Sequence, residues 1–342
     1  MGDTFYINVL VLLLVLAALV LRGGAARSFS RSDTLPLRGV LAMMVALTHI
    51  DASVYGGGDY ARFFHFGAEA VAIFFFLSGY GTMKSLMNKG EVYRIGLIRR
   101  TAWKLGLPFV VAAGAWMPYY ATTCPSWGRD LLHVITRGDL YCILPNSWFV
   151  FALFGCAIVF AIAFRRFPGG RGVLAVALLI LGYYFVMYFA HKWGGWWYRR
   201  IWLFPLGVGF AWYERGICTL FRKNRIACAL ILLTVGALCL FLPMAPGMTR
   251  STPVIGDLRY MMLGTYVGFL LLLTPTFFRC KFLDFLGSLS YEIYLIHALA
   301  SIPLVRFGIR PAAMEIMAII ITPFAAWLLQ RTVVKLNSWV KV

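Results

Sequence analysis

The chain predicts an all-α, polytopic transmembrane bundle of about eleven helices, and three observations predict it. Of its 342 residues, 61% are hydrophobic and 13% charged, about half the charged fraction of a soluble domain. The mean hydropathy is +0.79. The apolar residues fall into eleven runs separated by polar loops, most of them near the ~20 residues that cross a hydrocarbon core. The formal net charge is +19, from 32 Lys and Arg against 13 Asp and Glu. These cations lie between apolar runs and not on one soluble face. They are topology signals, and they argue against nucleic acid as a partner. The partner this composition demands is the lipid bilayer.

In order, the runs are 6–22, 36–50, 66–83, 102–118, 148–164, 172–190, 201–213, 226–243, 258–274, 283–304 and 312–330. The first follows MGDTFYIN, which lacks the positive n-region of a signal peptide, so a retained helix is expected. With the N-terminus outside, 22 of the 32 Lys and Arg residues fall on the cytoplasmic side. That bias supports eleven spans, with the N-terminus out and the C-terminus in. The basic stretch HKWGGWWYRR (191–200) is an exception on the outer side. No inverted repeat of the transporter kind is visible.

Arg38 and His49 flank an apolar run with ten residues between them. Eleven helical steps are about three turns, so both side chains share one face, roughly 16 Å apart along the axis. About half a bilayer core separates them. Ionisable residues in a membrane helix are costly and count as functional candidates. A neutral imidazole can take a proton from a hydroxyl near pH 7, as acyl transfer requires. A histidine hydrogen-bonded between helices is the alternative for His49.

Glu69 starts the next helix near the level of His49. It is read either as a carboxylate that orients the imidazole or as an acid at a helix start. His297 lies fourteen steps beyond Leu283, roughly 21 Å along a continuous helix, at a depth similar to His49. Two histidines at one depth on different helices suggest a shared cavity, and packing is the alternative for His297. Arg99, Arg100 and Lys104 form a cytoplasmic cluster in which Arg100 and Lys104 share a helix face. They could hold donor phosphates or set topology. Ser78, Gly79 and Gly81 are small and suit close helix approach. Trp148, Trp193, Trp196 and Trp197 suit the outer interface.

The seven cysteines show no C-x-x-C pair and no zinc spacing, so no metal is implied. Cys156, Cys228 and Cys239 fall within apolar runs and are read as core packing. Cys124 and Cys142 share an outer loop and are either a disulfide or two free thiols.

RGVLAMMVALTH (38–49), GAEAVAIFFFLSGYG (67–81), RRTAWKLGLP (99–108), SWFVFAL (147–153), FPLGVGF (204–210) and FLGSLSYEIYLIH (285–297) occur in a telling order. From about residue 34 to 330 the chain resembles the membrane acyltransferase 3 family. The resemblance implies about ten core helices. It also implies transfer of an acyl group, often acetyl, from cytoplasmic coenzyme A thioester to an outward-facing glycan or lipid-linked sugar. By motif position Arg38 and His49 take the family's essential Arg and His roles. Arg99, Arg100 and Lys104 fall at its basic cytoplasmic motif. Lys104 stands where an Arg is usual, and Lys lacks the bidentate phosphate grip.

The expected organisation is an additional N-terminal helix and loop in 1–33 and an acyltransferase domain in 34–342. The expected activity is an O-acetyltransferase of the cell membrane (the bacterial inner membrane), with acyl-CoA, most often acetyl-CoA, as donor. His49, Arg38, Glu69 and His297 form its catalytic set. Arg38, Arg99, Arg100 and Lys104 hold the donor. His49 acts as general base or as covalent carrier. A transporter or flippase for a lipid-linked sugar, or a non-catalytic subunit that partners envelope-polysaccharide assembly proteins, are the alternatives.

Overall fold

The computed structural model of the chain describes residues 28–55, 67–123, 144, 147–190, 195–224, 226–227, 230–231, 234–235, 253–273, 280–306 and 311–340. The helices are α1 (Arg31–Tyr55), α2 (Gly67–Ile95), α3 (Leu97–Thr123), α4 (Trp148–Arg166) and α5 (Gly170–Ala190), then α6 (Leu203–Lys223), α7 (Pro253–Leu273), α8 (Lys281–Ser288), α9 (Ser290–Arg306) and α10 (Pro311–Val340). A short 3-10 turn, Gly195–Trp197, precedes α6. No strand occurs among the described residues. Gly67–Ile95, Trp148–Arg166, Gly170–Phe189 and Ile319–Trp339 are each long and apolar enough to cross a membrane. The architecture is an all-α helical membrane bundle. The run 6–22, most of 226–243, and Cys124, Cys142, Cys228 and Cys239 lie outside the described residues.

Two compact units divide the chain. One comprises 1–34, 72–94 and 162–279, the other 35–71, 95–161 and 280–342.

In the first unit α2 meets α6 backbone to backbone. A Cβ on Gly79 would collide with the Phe204 carbonyl, and one on Gly207 with the Phe76 carbonyl. The reciprocal pair lets the helices touch, as small residues do in membranes. Aromatic rings fill the flanks: Phe210 packs edge-on against Phe76 at 5.4 Å and against Phe269 at 5.4 Å. Gly81 has nothing within 4 Å of an added Cβ, so it takes no part in this crossing. Gly207→Leu is therefore expected to destabilise the protein by about 1–3 kcal/mol or more through overpacking. Gly81→Ala is expected to be nearly silent. Thermal unfolding of both variants in detergent checks the contrast.

The segment that enters α1 is clamped to this unit. Glu214 on α6 is buried, 3% exposed. It accepts hydrogen bonds from the Tyr80 hydroxyl and from Lys84 Nζ at 2.7 Å. The Tyr80 oxygen also lies 3.2 Å from the Phe29 carbonyl oxygen, and the Tyr80 ring stacks on the Phe29 ring at 3.9 Å. Lys84 reaches Ser28 Oγ at 3.0 Å. A buried carboxylate is tolerated when paired in this way. Ser30 and Asp33 then start α1 with a reciprocal capping box: Ser30 N donates to Asp33 Oδ2 at 2.8 Å, and Asp33 N to Ser30 Oγ at 3.4 Å.

In the second unit α1 crosses α8 through a second glycine pair. A Cβ on Gly39 would lie 2.6 Å from the Leu283 carbonyl oxygen, and one on Gly287 would strike the Leu35 carbonyl. Here the structure departs from the expected single helix over 283–304. The chain breaks at Leu289 into α8 and α9. The break coincides with tertiary contacts: Gly287 is pressed onto the α1 backbone, and Gln330 Nε2 from α10 satisfies the Ser288 carbonyl at 3.0 Å. The eight residues of α8 bury Leu286 and expose Phe282 and Phe285, the pattern of a helix lying in an interface. His297 is thus seven steps into α9, about 10 Å, and not 21 Å up a straight helix. On the neighbouring helices Tyr291 donates to the Leu105 carbonyl at 2.7 Å, and Trp103 Nε1 to Asn337 Oδ1 at 2.9 Å. These bonds tie α3 to α9 and α10.

Candidate active site

All seven residues singled out from the sequence fall within the second unit. α1 runs unbroken from Arg31 to Tyr55, so Arg38 and His49 keep their shared face and their separation of about 16 Å. Both side chains are half-buried. The glycine crossing at Gly39 anchors the Arg38 end to α8. At the other end Gly67 opens α2 against α1, where a Cβ would sit 3.0 Å from Thr48.

His49 and His297 meet. Their rings stack with centroids 5.1 Å apart and planes 28° from parallel. His297 is 1% exposed. Its Nδ1 lies 2.7 Å from the Tyr294 carbonyl oxygen. A carbonyl only accepts, so Nδ1 carries the proton and Nε2 is the lone-pair nitrogen of the neutral ring. Two imidazolium charges at 5.1 Å would repel, so the stack suits one mobile proton and not two. Aromatic packing continues below it. Tyr294 lies 5.9 Å from His297, and Phe149 of α4 lies 4.9 Å from Tyr294. Trp148 follows at 6.0 Å from Phe149. Trp148 is 7% exposed, so it belongs to this packing and not to a lipid-facing interfacial belt.

Glu69 is buried, 9% exposed, in the first turn of α2. It lies two residues beyond the Gly67–Thr48 contact and so at the level of His49. The positive end of the helix dipole favours a carboxylate there.

The cations occupy the opposite end. Arg99, Arg100 and Lys104 are exposed in the first turns of α3, whose first turn holds no acid. Positive side chains at a helix N-terminus run against the macrodipole. Such an arrangement favours a bound anion, because helix end and side chains then attract it together. The Arg100 guanidinium folds back over Gly96, leaving no room for a Cβ. Lys104 acts electrostatically on Glu292, a buried acid in the first turn of α9. Glu292 escaped the reading of the sequence. The signal was there: an acid inside an apolar run, five residues before His297.

The family model described as an acyltransferase domain matches residues 37–332. No curated protein and no solved structure matches the chain. The matched stretch starts one residue before Arg38, ends within α10, and takes in both halves of the histidine stack and the whole basic cluster on α3. A membrane bundle matched over that much of its length belongs to the acyltransferase 3 family, and the chain is one of its membrane acyltransferases.

Proposed function

We propose that this membrane acyltransferase is an O-acetyltransferase that moves acetyl from cytoplasmic acetyl-CoA to a hydroxyl of an outward-facing or lipid-linked carbohydrate. The observation that carries the reading is the His49–His297 stack, on the α1 face that also carries Arg38. Arg38, Arg99, Arg100 and Lys104 hold the donor's phosphates at the cytoplasmic mouth. Charge-assisted hydrogen bonds to phosphate are the strong ones, and Arg makes them in pairs. His49 takes the proton of the acceptor hydroxyl as its oxygen attacks the thioester carbonyl. The carbon–sulfur bond breaks, and the coenzyme A thiolate leaves with that proton. His297 holds the His49 ring by stacking, and Glu69 favours the protonated imidazole as it forms. The carbohydrate acceptor is supported by the family resemblance.

Membranes carrying the protein, incubated with labelled acetyl-CoA, are expected to release free coenzyme A and label a glycan fraction. A flippase moves its substrate without consuming the thioester, and a structural subunit does neither. Unchanged acetyl-CoA in the presence of envelope glycan would overturn the proposal.

A further inference from the structure

The first unit carries a second cluster of charged and aromatic side chains. It lies at the far end of α5 from Arg165, Arg166 and Arg171. The 21 residues of α5 span about 30 Å, a full hydrocarbon core. On the positive-inside reading this end is the outer face. There the Tyr184 hydroxyl donates to Asp257 Oδ2 at 2.7 Å, and Arg199 Nε to Oδ1 at 3.3 Å. Three more rings surround Tyr184: Tyr188 nearly parallel at 6.1 Å, Tyr198 edge-on at 5.1 Å and Trp202 at 5.5 Å. All four rings are half-buried, so part of each remains open. Arg200 lies over the Tyr260 ring, 5.7 Å from its centroid. Its Nε is buried and has no hydrogen-bond partner among the described residues.

An interfacial belt anchors rings singly, with their polar tips in water. This group differs in two respects. Its rings are locked to one another and to a buried carboxylate, and two guanidiniums face a single acid. Asp257 is hydrogen-bonded by Tyr184 and Arg199, and the half-buried Arg200 adds a second positive charge beside it. Aromatic faces accept the apolar side of a ring, and a guanidinium pairs with carboxylate or phosphate.

We propose that this cluster is a binding site for an anionic sugar, with the sugar ring against Tyr198 and Trp202 and its carboxylate or phosphate on Arg200. The inference rests on the acyltransferase reading insofar as that sugar belongs to the acceptor. Binding energy from parts of a substrate that do not react can serve the transfer step.

The test uses full-length protein in nanodiscs of zwitterionic lipid, titrated with a glucuronate-containing disaccharide, its neutral glucose counterpart and inorganic phosphate. The charged disaccharide is expected to bind best. Arg200→Gln is expected to weaken it by about tenfold or more, because hydrogen bonds to charged groups are strong, and Arg200→Lys by less. Tyr198→Leu is expected to weaken both sugars. Thermal unfolding confirms that each variant is folded. Binding unchanged in Arg200→Gln, or failure of the charged disaccharide to bind, overturns the site. Phosphate binding as tightly as the charged sugar reduces it to a bare anion site. Competition by added phosphatidylglycerol assigns it to lipid headgroups. Sugar binding without acetyl-CoA turnover supports the site and overturns the acyl-transfer reading. Turnover with an acceptor KM unchanged in Arg200→Gln does the reverse.

Discussion

Replacing His49 with alanine is expected to abolish acyl transfer, a loss of at least ~100-fold, in protein that still inserts and folds. A methyl group cannot take the acceptor's proton. The fold should survive, because α1 is held by contacts that do not involve the His49 side chain: the Gly39–α8 crossing and the Gly67–Thr48 contact. What the variant loses structurally is one stacked ring against His297, worth about 1 kcal/mol. His49→Phe separates the two effects. It keeps a ring in the stack but no base, and it is expected to be as inactive as the alanine variant. Turnover of labelled acetyl-CoA, normalised to inserted protein, reads both variants. Wild-type turnover in either would remove His49 from the chemistry. Acid quenching during turnover should trap no acyl-protein, because the proposed step is direct.

Arg38→Lys is expected to be nearly as damaging as Arg38→Ala, with acetyl-CoA binding weakened about tenfold or more in both. The backbone beside Arg38 is fixed by the crossing of Gly39 on α8, where a side chain of any size would meet the Leu283 carbonyl and Leu286. The guanidinium therefore projects from a rigid base, and its planar fork can grip two oxygens at once. An ammonium on a flexible stem carries the same charge without that geometry. Donor binding to purified protein, measured directly, discriminates between grip and topology. Full recovery by lysine would mean that the charge serves only to orient the helix.

The basic cluster on α3 bears on the same experiment. Lys104 acts electrostatically on the buried Glu292, and Arg99 and Arg100 carry exposed charge in the first turn. The departure from an Arg at position 104 thus falls at a place where a buried acid is already the neighbour.

By itself the sequence determined the class and the local geometry. Apolar runs of membrane length make helices, because in lipid the backbone must satisfy its own hydrogen bonds. The placing of Arg38 and His49 on one face follows from helical period alone, and α1 is indeed unbroken across them. Gly79 was legible as a packing residue because only a small side chain admits a neighbouring backbone.

Tertiary structure decided the rest. Gly81 looks the same in sequence yet meets nothing. Trp148 reads as interfacial yet is buried. In a membrane chain the lipid-facing and protein-facing residues are equally apolar, so the periodicity that separates core from surface in a soluble protein is mute. The break at Leu289 coincides with α1 pressing against Gly287, a contact distant in sequence. The electrostatic effect of Lys104 on Glu292 depends on α3 and α9 being neighbours. The stacking of His49 on His297 required α1 and α9 to be brought together, which no local signal in either helix specifies.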